Sequence, residues 1–329
     1  MTSAIDRRAL VSEAMLAPSV HNVQPARWRI EENEALILFE DKGVRLTVGD
    51  PRGNDAGISL GAAAEGLRLA AGRGGIGVVE ELGDLPAETE RLRPVARYRL
   101  NAEMAEPDPL AALVHARRSW RADFLACAPA DRAGAAKLAG EDAAVVTEPA
   151  LLATLARLYD QASYGFMRDR LFRRELVSWM RLSRRHPRWD CDGLNADAMA
   201  MSRIEAIGAS VVLGPLFGPL DMVGLAEPLL AEGKKIGGAA AVVVFHRPAD
   251  EPPLVSGGHF YRLWLSIEAA GFGAAVLAAL ADDPVISAEV AALAGVPRGR
   301  RIVSAFRMGQ RPPGAIAPRS RRGIDELLV

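Results

Sequence analysis

Apolar residues recur at helical spacing between residues 4 and 17, and the run stops at Pro18, whose ring disfavours helical backbone in the residue before it. Two short runs follow at 27–30 and 35–39, around the turn-prone Glu32 and Asn33, and predict a hairpin. From Asn54, which suits an N-cap, small and apolar residues stay in register to Arg73 and predict a buried helix. Residues 74–82 and 94–100 read as strands, and 105–109 as the best linker. Beyond it the pattern predicts helices over 110–116 and 131–139, a strand over 143–147 and a long helical region over 149–183. A helix over 195–212, a strand over 239–245, helices over 260–270 and 285–294 and a strand over 301–308 complete the reading. Helices outnumber strands and separate them, which favours an α+β architecture of antiparallel or mixed sheets with surrounding helices. The two most apolar long stretches, 207–226 and 263–281, are interrupted by Pro215, Pro219 and Asp221 in one and Glu268 in the other. Both read as buried core rather than membrane spans.

A repeat runs beneath these elements. One constant shift places Gly61 on Gly257, Leu67 on Leu263, Leu69 on Leu265, Gly75 on Gly271 and Gly77 on Gly273. Each copy is a helix ending in GxG, followed after a variable loop by an apolar strand that carries Tyr98, Arg99 and Leu100 in one case and Phe306, Arg307 and Met308 in the other. The chain therefore reads as two related halves, 1–105 and 106–329.

Composition narrows the partners. The 329 residues are 50% hydrophobic and 25% charged with a net charge of −1, so no basic excess argues for nucleic acid or an anionic membrane. Only Lys42, Lys137, Lys234 and Lys235 are lysines, so an anion would be held by arginine. Cys127 and Cys191 form no CxxC pair or disulfide framework, and the amino terminus lacks an apolar core of signal-peptide length. A reducing, cytoplasmic setting is the expectation.

Several motif matches fail on context. Gly72, Gly74 and Gly77 satisfy GxGxxG, but a helix precedes them and a strand follows, the reverse of a dinucleotide fingerprint. Gly57, Ser59 and Gly61 satisfy GxSxG, yet no strand precedes them to present a nucleophile, although His259 is a conceivable base. His186, Asp190, Cys191 and Asp192 lack a recognised metal spacing and read as a turn. Three segments hold more chemistry. Residues 18–25, PSVHNVQP, gather His21, Asn22 and Gln24, whose groups can donate to and accept from a heteroaromatic ring. Residues 115–124, HARRSWRADF, offer Arg117, Arg118, Ser119 and Arg121, donors suited to a phosphate. Arg319, Ser320 and Arg321 repeat that chemistry near the carboxyl end. The stretch 168–188 carries eight arginines among apolar residues and reads as a solvated amphipathic helix, as a lid, or as a docking surface for phosphates.

Taken together, these segments resemble the FMN-dependent nitroreductase superfamily, and most of all its single-chain Acg-type branch, in which two nitroreductase-like halves are fused into a pseudo-dimer. APSVHNVQPARW, DPRGNDAGISLGAA, RRSWRADF, GFGAAVL, SAFRMGQ and APRSRRGIDELL carry the likeness across nearly the whole chain. The resemblance implies a nitroreductase-like α+β fold. Arg117, Ser119 and Arg121, with Arg118 beside them, would bind the FMN phosphate; Arg319 and Arg321 would close it; Asn22 and Gln24 would face the isoalloxazine or ribityl chain. Ala26 departs from the family pattern, which usually has an aromatic after the proline. The implied activity is reduction of small electrophiles such as nitroaromatics or quinones with NAD(P)H as donor; the chemistry is flavin-centred, so no protein acid, base or metal is named. A monomer would suffice, with further assembly open. The other reading the resemblance implies is a non-catalytic protein that sequesters FMN beneath a lid at 165–190.

Overall fold

The structure is a computed structural model that describes all residues except 1–5, 33, 34, 82, 84 and 105, with no side chains described for 102–104. Helix α1 (Arg7–Ala14) is capped by the Asp6 carboxylate and stops three residues earlier than its apolar pattern. Strands β1 (Ala26–Ile30) and β2 (Leu36–Asp41) form the expected hairpin. Helix α2 (Asn54–Arg73) follows, then β3 (Ile76–Glu81) and β4 (Leu92–Met104). The α2 N-cap is Gly53 in the left-handed region at φ 72° rather than Asn54, and Asp50 accepts the free Ala56 amide in its place.

The second half opens with a 3₁₀ turn (Pro109–Leu113) where a helix was expected, then α3 (Pro129–Ala136), β5 (Ala143–Val146), α4 (Pro149–Arg168) and α5 (Arg170–Trp179). The helical region 149–183 is thus two helices. Asp169 adopts extended backbone between them and its carboxylate caps α5 at Leu171 N, 2.7 Å. Two short parallel strands, β6 (Met180–Arg181) and β7 (Leu194–Asn195), replace the start of the helix expected from 195. Then come α6 (Arg203–Val212), α7 (Phe217–Met222), α8 (Ala226–Leu230) and α9 (Lys234–Gly237). The chain ends with β8 (Ala241–Pro248), α10 (Pro253–Ala269), β9 (Gly273–Val276), α11 (Ala279–Asp282), α12 (Pro284–Ala294), β10 (Arg300–Gly309) and α13 (Ile324–Leu327).

Two four-stranded antiparallel sheets result, ordered β1-β2-β4-β3 and β5-β8-β10-β9. The order is the same in both, with α2 preceding the third strand of one and α10 the third strand of the other. This is an α+β architecture in which one sheet order occurs twice. The halves meet where α2 crosses α10. A Cβ on Gly61 would lie 1.9 Å from Leu254 O, and one on Gly257 would lie 2.2 Å from Ile58 O. The paired glycines of the repeat therefore set the approach of the two backbones. Around this crossing Leu60, Leu67, Tyr98 and Trp28 share one core with Tyr261 and Leu265 of α10. Phe245, Phe260, Trp264 and Phe306 pack between α10 and the second sheet. The opposite face of that sheet buries Val242 and Val244 against Leu152, Leu155 and Leu158 of α4 and against Ile286 and Val290 of α12.

The expectation that 207–226 is buried core is corrected. Ile207, Met222, Val223 and Leu225 are all more than half exposed. Gly214 and Pro215, and then Gly224 at φ 70°, separate helices of 10, 6 and 5 residues, each too short to turn all its apolar side chains inward. Among the described residues no helix is long and apolar enough to cross a membrane.

Candidate functional site

The turn after α1 holds three non-glycine residues in the left-handed region: His21 at φ 43°, Asn22 at 55° and Gln24 at 54°. Each costs on the order of 1–2 kcal/mol, so surrounding bonds must impose the shape. Ser59 Oγ accepts Val20 N at 3.2 Å and donates to Asp55 O at 2.7 Å, while Ser19 Oγ accepts Gln24 N at 3.0 Å. Ser59 is thus a buried brace for the turn and not a presented nucleophile. Asn22 Nδ2 donates to Gly193 O at 3.2 Å and to Ser320 Oγ at 3.3 Å, and its Oδ1 accepts from Arg321 Nη1 at 2.8 Å. Gln24 Nε2 donates to Cys191 O at 2.7 Å, and its Oε1 accepts Arg322 N at 3.0 Å. The two amides expected to face a flavin are spent on joining the turn to segment 191–193 and to the carboxyl-terminal tail. Only tertiary contacts reveal this second use.

Four of the expected arginines do converge. Arg117 is 2% exposed, stacks with its guanidinium carbon 4.6 Å from the Trp264 ring, and donates from Nη2 to Leu16 O at 2.7 Å. Its Nε is buried without a partner. Arg321 donates to the carbonyls of Met15, Leu16 and Ala17 at 2.8–3.1 Å. Arg319 reaches only the carbonyls of Val114 and Arg117, both at 3.4 Å, and Arg118 bonds the carbonyls of His115 and Arg117. No carboxylate within 4 Å neutralises any of the four among the described residues; Glu268, the nearest acid to Arg117 and Arg118, is bridged to Arg311 at 2.7 Å. Burial first, then the neighbouring guanidiniums, pull Arg319 down to about 10 and Arg321 well below the ordinary arginine range. Buried cations without a counter-ion are costly, and a phosphate at this position would compensate them. The residues present fit that group.

Ser119 bridges in parallel to Ala274, beside this cluster in sequence. The Arg121 guanidinium acts electrostatically on His21, Tyr159 and Glu232. Burial, then Arg121, push His21 down to about 4, which keeps its imidazole neutral at physiological pH. Its Nδ1 is buried and unpaired. Neither His21 nor Tyr159 and Glu232 was singled out together from sequence, because they come from three segments far apart in the chain.

The eight-arginine stretch is tied through α5 to residues 47–49. Glu175 of α5 accepts Gly49 N at 2.7 Å, Val48 N at 3.1 Å and the Thr47 hydroxyl at 3.2 Å, and Phe172 packs against Gly49. Farther along, buried Asp192 receives Arg181, Arg188 and Arg322 at 2.7–2.9 Å. That explains the His186–Asp192 segment as an ion-pair knot; among the described residues no group of His, Cys, Asp and Glu could hold a metal. A recess of about 590 Å³ lies elsewhere, beside Glu141, His246, Arg298 and Arg300 at the edge of the second sheet, and contains none of the expected site residues.

Asp50, Asp55 and Asp282 meet where the first turn of α2 approaches the end of α11. Burial, then mutual repulsion, push Asp55 up to about 7 and Asp282 to about 8, although Asp282 still reaches solvent. A carboxyl raised above its unfolded value of about 4 binds more protons in the folded state, so stability falls as pH rises from about 4 through the folded values. Asp55→Asn is expected to raise the thermal midpoint at pH 8 and to change it little at pH 4. Melting curves at the two pH values check this, and equal shifts would contradict it.

The structure is an α+β protein with two four-stranded antiparallel sheets and a cluster of arginines that lacks a carboxylate partner among the described residues. No protein-family profile matches the chain. Over 176 residues it is 29% identical to a Mycobacterium tuberculosis protein named "Putative NAD(P)H nitroreductase" in strains CDC 1551 / Oshkosh and H37Rv; the match covers 52% of this chain and 50% of that protein. The chain thus aligns with about half the length of the curated relatives it matches. Among solved structures it overlaps a Bacteroides fragilis nitroreductase with bound FMN (14% identity, 66% of this chain and 95% of that one, TM-score 0.37). It also overlaps the FMN-dependent nitroreductase NfnB of Mycobacterium smegmatis in complex with NADPH (18% identity, 65% and 94%, TM-score 0.37). Over those 176 residues the sequence is similar to proteins named as nitroreductases.

Proposed function

We propose that this chain is an FMN-dependent oxidoreductase that takes electrons from NAD(P)H and delivers them to small electrophiles such as nitroaromatics or quinones. The observation that carries the reading is the cluster of buried Arg117 with half-buried Arg118, Arg319 and Arg321, four guanidiniums with no carboxylate on them among the described residues. FMN, when bound, supplies hydride acceptance and release at its own ring, so the protein needs no nucleophile. Arg117, Arg118 and Arg319 would hold the phosphate by charge-assisted bonds, with Ser119 adding an uncharged donor. Arg121 and neutral His21 would offer polar contact farther along, and α5 would keep water out. The visible spectrum of the purified protein, recorded anaerobically before and after NADPH, tests this. A yellow protein that bleaches and then recolours on adding a nitroaromatic is the expected result; a chain that stays colourless after incubation with FMN removes the reading.

The anchoring of α5 favours a second reading, a protein that keeps FMN shut away from substrates. Glu175 makes charge-assisted bonds across the two halves, and such bonds hold a lid closed. Glu175→Ala is expected to raise the rate of acceptor reduction about tenfold, the loss of roughly one charged hydrogen bond. Stopped-flow reoxidation checks it. A wild type that binds FMN without turnover, and a variant equally inert, would favour storage without regard to the lid.

A further inference from the structure

Arg307 is an arginine in the inner strand β10 of a buried sheet, between the fully buried Phe306 and Met308. It is itself 4% exposed, and no carboxylate pairs with it among the described residues. A guanidinium in such a place must find acceptors. Its Nη2 donates to three successive carbonyls, those of Trp120 at 3.3 Å, Arg121 at 2.8 Å and Ala122 at 3.2 Å. Its guanidinium carbon lies 4.8 Å from the Phe124 ring centroid, and its Nη1 is buried without a partner. The ends of the same loop are tied by backbone: Trp120 N donates to Ala274 O at 2.7 Å, and Leu125 N to Gln310 O at 2.9 Å.

The orientation of the loop follows from the planar trans peptide, in which C=O and N–H point in opposite directions. Every peptide bond described is trans. If the carbonyls of residues 120–122 face Arg307, then the amides of Arg121, Ala122 and Asp123 face away from the sheet. None of these amides meets a protein acceptor among the described residues. Without the cation, three carbonyls would be left facing an apolar interior, and the loop would turn over to hydrate them. The charges of Arg121 and Arg307 both act on Tyr159 and Glu232, so the two arginines lie in one neighbourhood.

We propose that Arg307 is a positioning residue, which draws the carbonyls of 120–122 inward and so presents the amides of 121–123 as a donor face toward the bound cofactor. This rests on the FMN reading above. Arg307→Met keeps the volume and removes the donors. In the cofactor-free protein, amide hydrogen exchange over 119–124 is expected to rise at least tenfold while exchange in α10 stays as in the wild type. FMN affinity, read by flavin fluorescence quenching, is expected to fall about tenfold, with a changed visible circular dichroism of the flavin that still binds. Arg307→Ala is expected to recover affinity when millimolar guanidinium is added, and Arg307→Lys, with one point donor, to lie between. Unchanged exchange over 119–124 in the Met variant overturns the proposal, as does a flavin affinity within twofold of wild type with an identical spectrum. Should the Met variant not fold, the same two readouts on Arg307→Lys decide it. A wild type that binds no FMN overturns the functional reading instead, and the exchange measurement still reports whether Arg307 holds the loop.

Discussion

Arg117→Met is expected to weaken FMN binding on the order of 100-fold while leaving the cofactor-free protein at least as stable as before. The two effects have one cause. Arg117 is almost fully buried against Trp264 and Tyr261, carries an unpaired Nε, and has no carboxylate upon it. Methionine fills a similar volume against the same rings, and replacing an uncompensated buried charge by an apolar side chain is often neutral or stabilising. Leu16 O, which loses Arg117, keeps Arg321 Nη2 at 3.1 Å. A phosphate, by contrast, would lose a bidentate charged partner worth roughly 3 kcal/mol, about two decades in affinity. A fluorescence titration and a thermal melt of the cofactor-free protein measure both. An arginine that only braces the fold would behave in the opposite way, with affinity kept and melting temperature lowered. Arg321→Met makes a contrasting companion, because its bonds to Met15, Leu16 and Ala17 mean that its loss should lower both.

Gly61→Ala is expected to destabilise the protein by at least about 3 kcal/mol, at the upper end for overpacking a core. The added methyl would stand 1.9 Å from Leu254 O and 3.0 Å from the Cα of Gly257, both backbone atoms of α10 that no rotamer change can move. The helices would have to separate, and the core shared by Leu60, Leu67, Tyr261 and Leu265 would open with them. Gly72→Ala in the same helix is the control. Nothing lies within 4 Å of that added methyl, so the lower entropy of the unfolded chain should stabilise by about 0.5–1 kcal/mol. Urea unfolding of both variants gives the comparison. Equal effects at the two glycines would mean that the crossing is not the constraint.

Both predictions start from features legible in the chain. The shift that aligns Gly61 with Gly257 marked two halves, and the arginine and serine segments marked an anion site. Periodicity located the strands 143–147 and 301–308 nearly to the residue, since buried strands are short, apolar and flanked by breakers. It missed β9, whose GAAV is indistinguishable from the small-residue helix before it, and it merged α4 with α5, because Asp169 ends one helix and caps the next without interrupting the apolar spacing.

Residue chemistry by itself determined which side chains could serve an anion or an aromatic ring, because donors, acceptors and charges are properties of residue type. Tertiary structure alone decided which of them are free to do so. Asn22 and Gln24 are bonded to Gly193, Cys191 and the tail, Arg321 is occupied by the end of α1, and the backbone carbonyl of Arg121 is held by Arg307. Those assignments depend on groups brought together from distant parts of the chain, where burial makes an unpaired charge costly and a paired one unavailable.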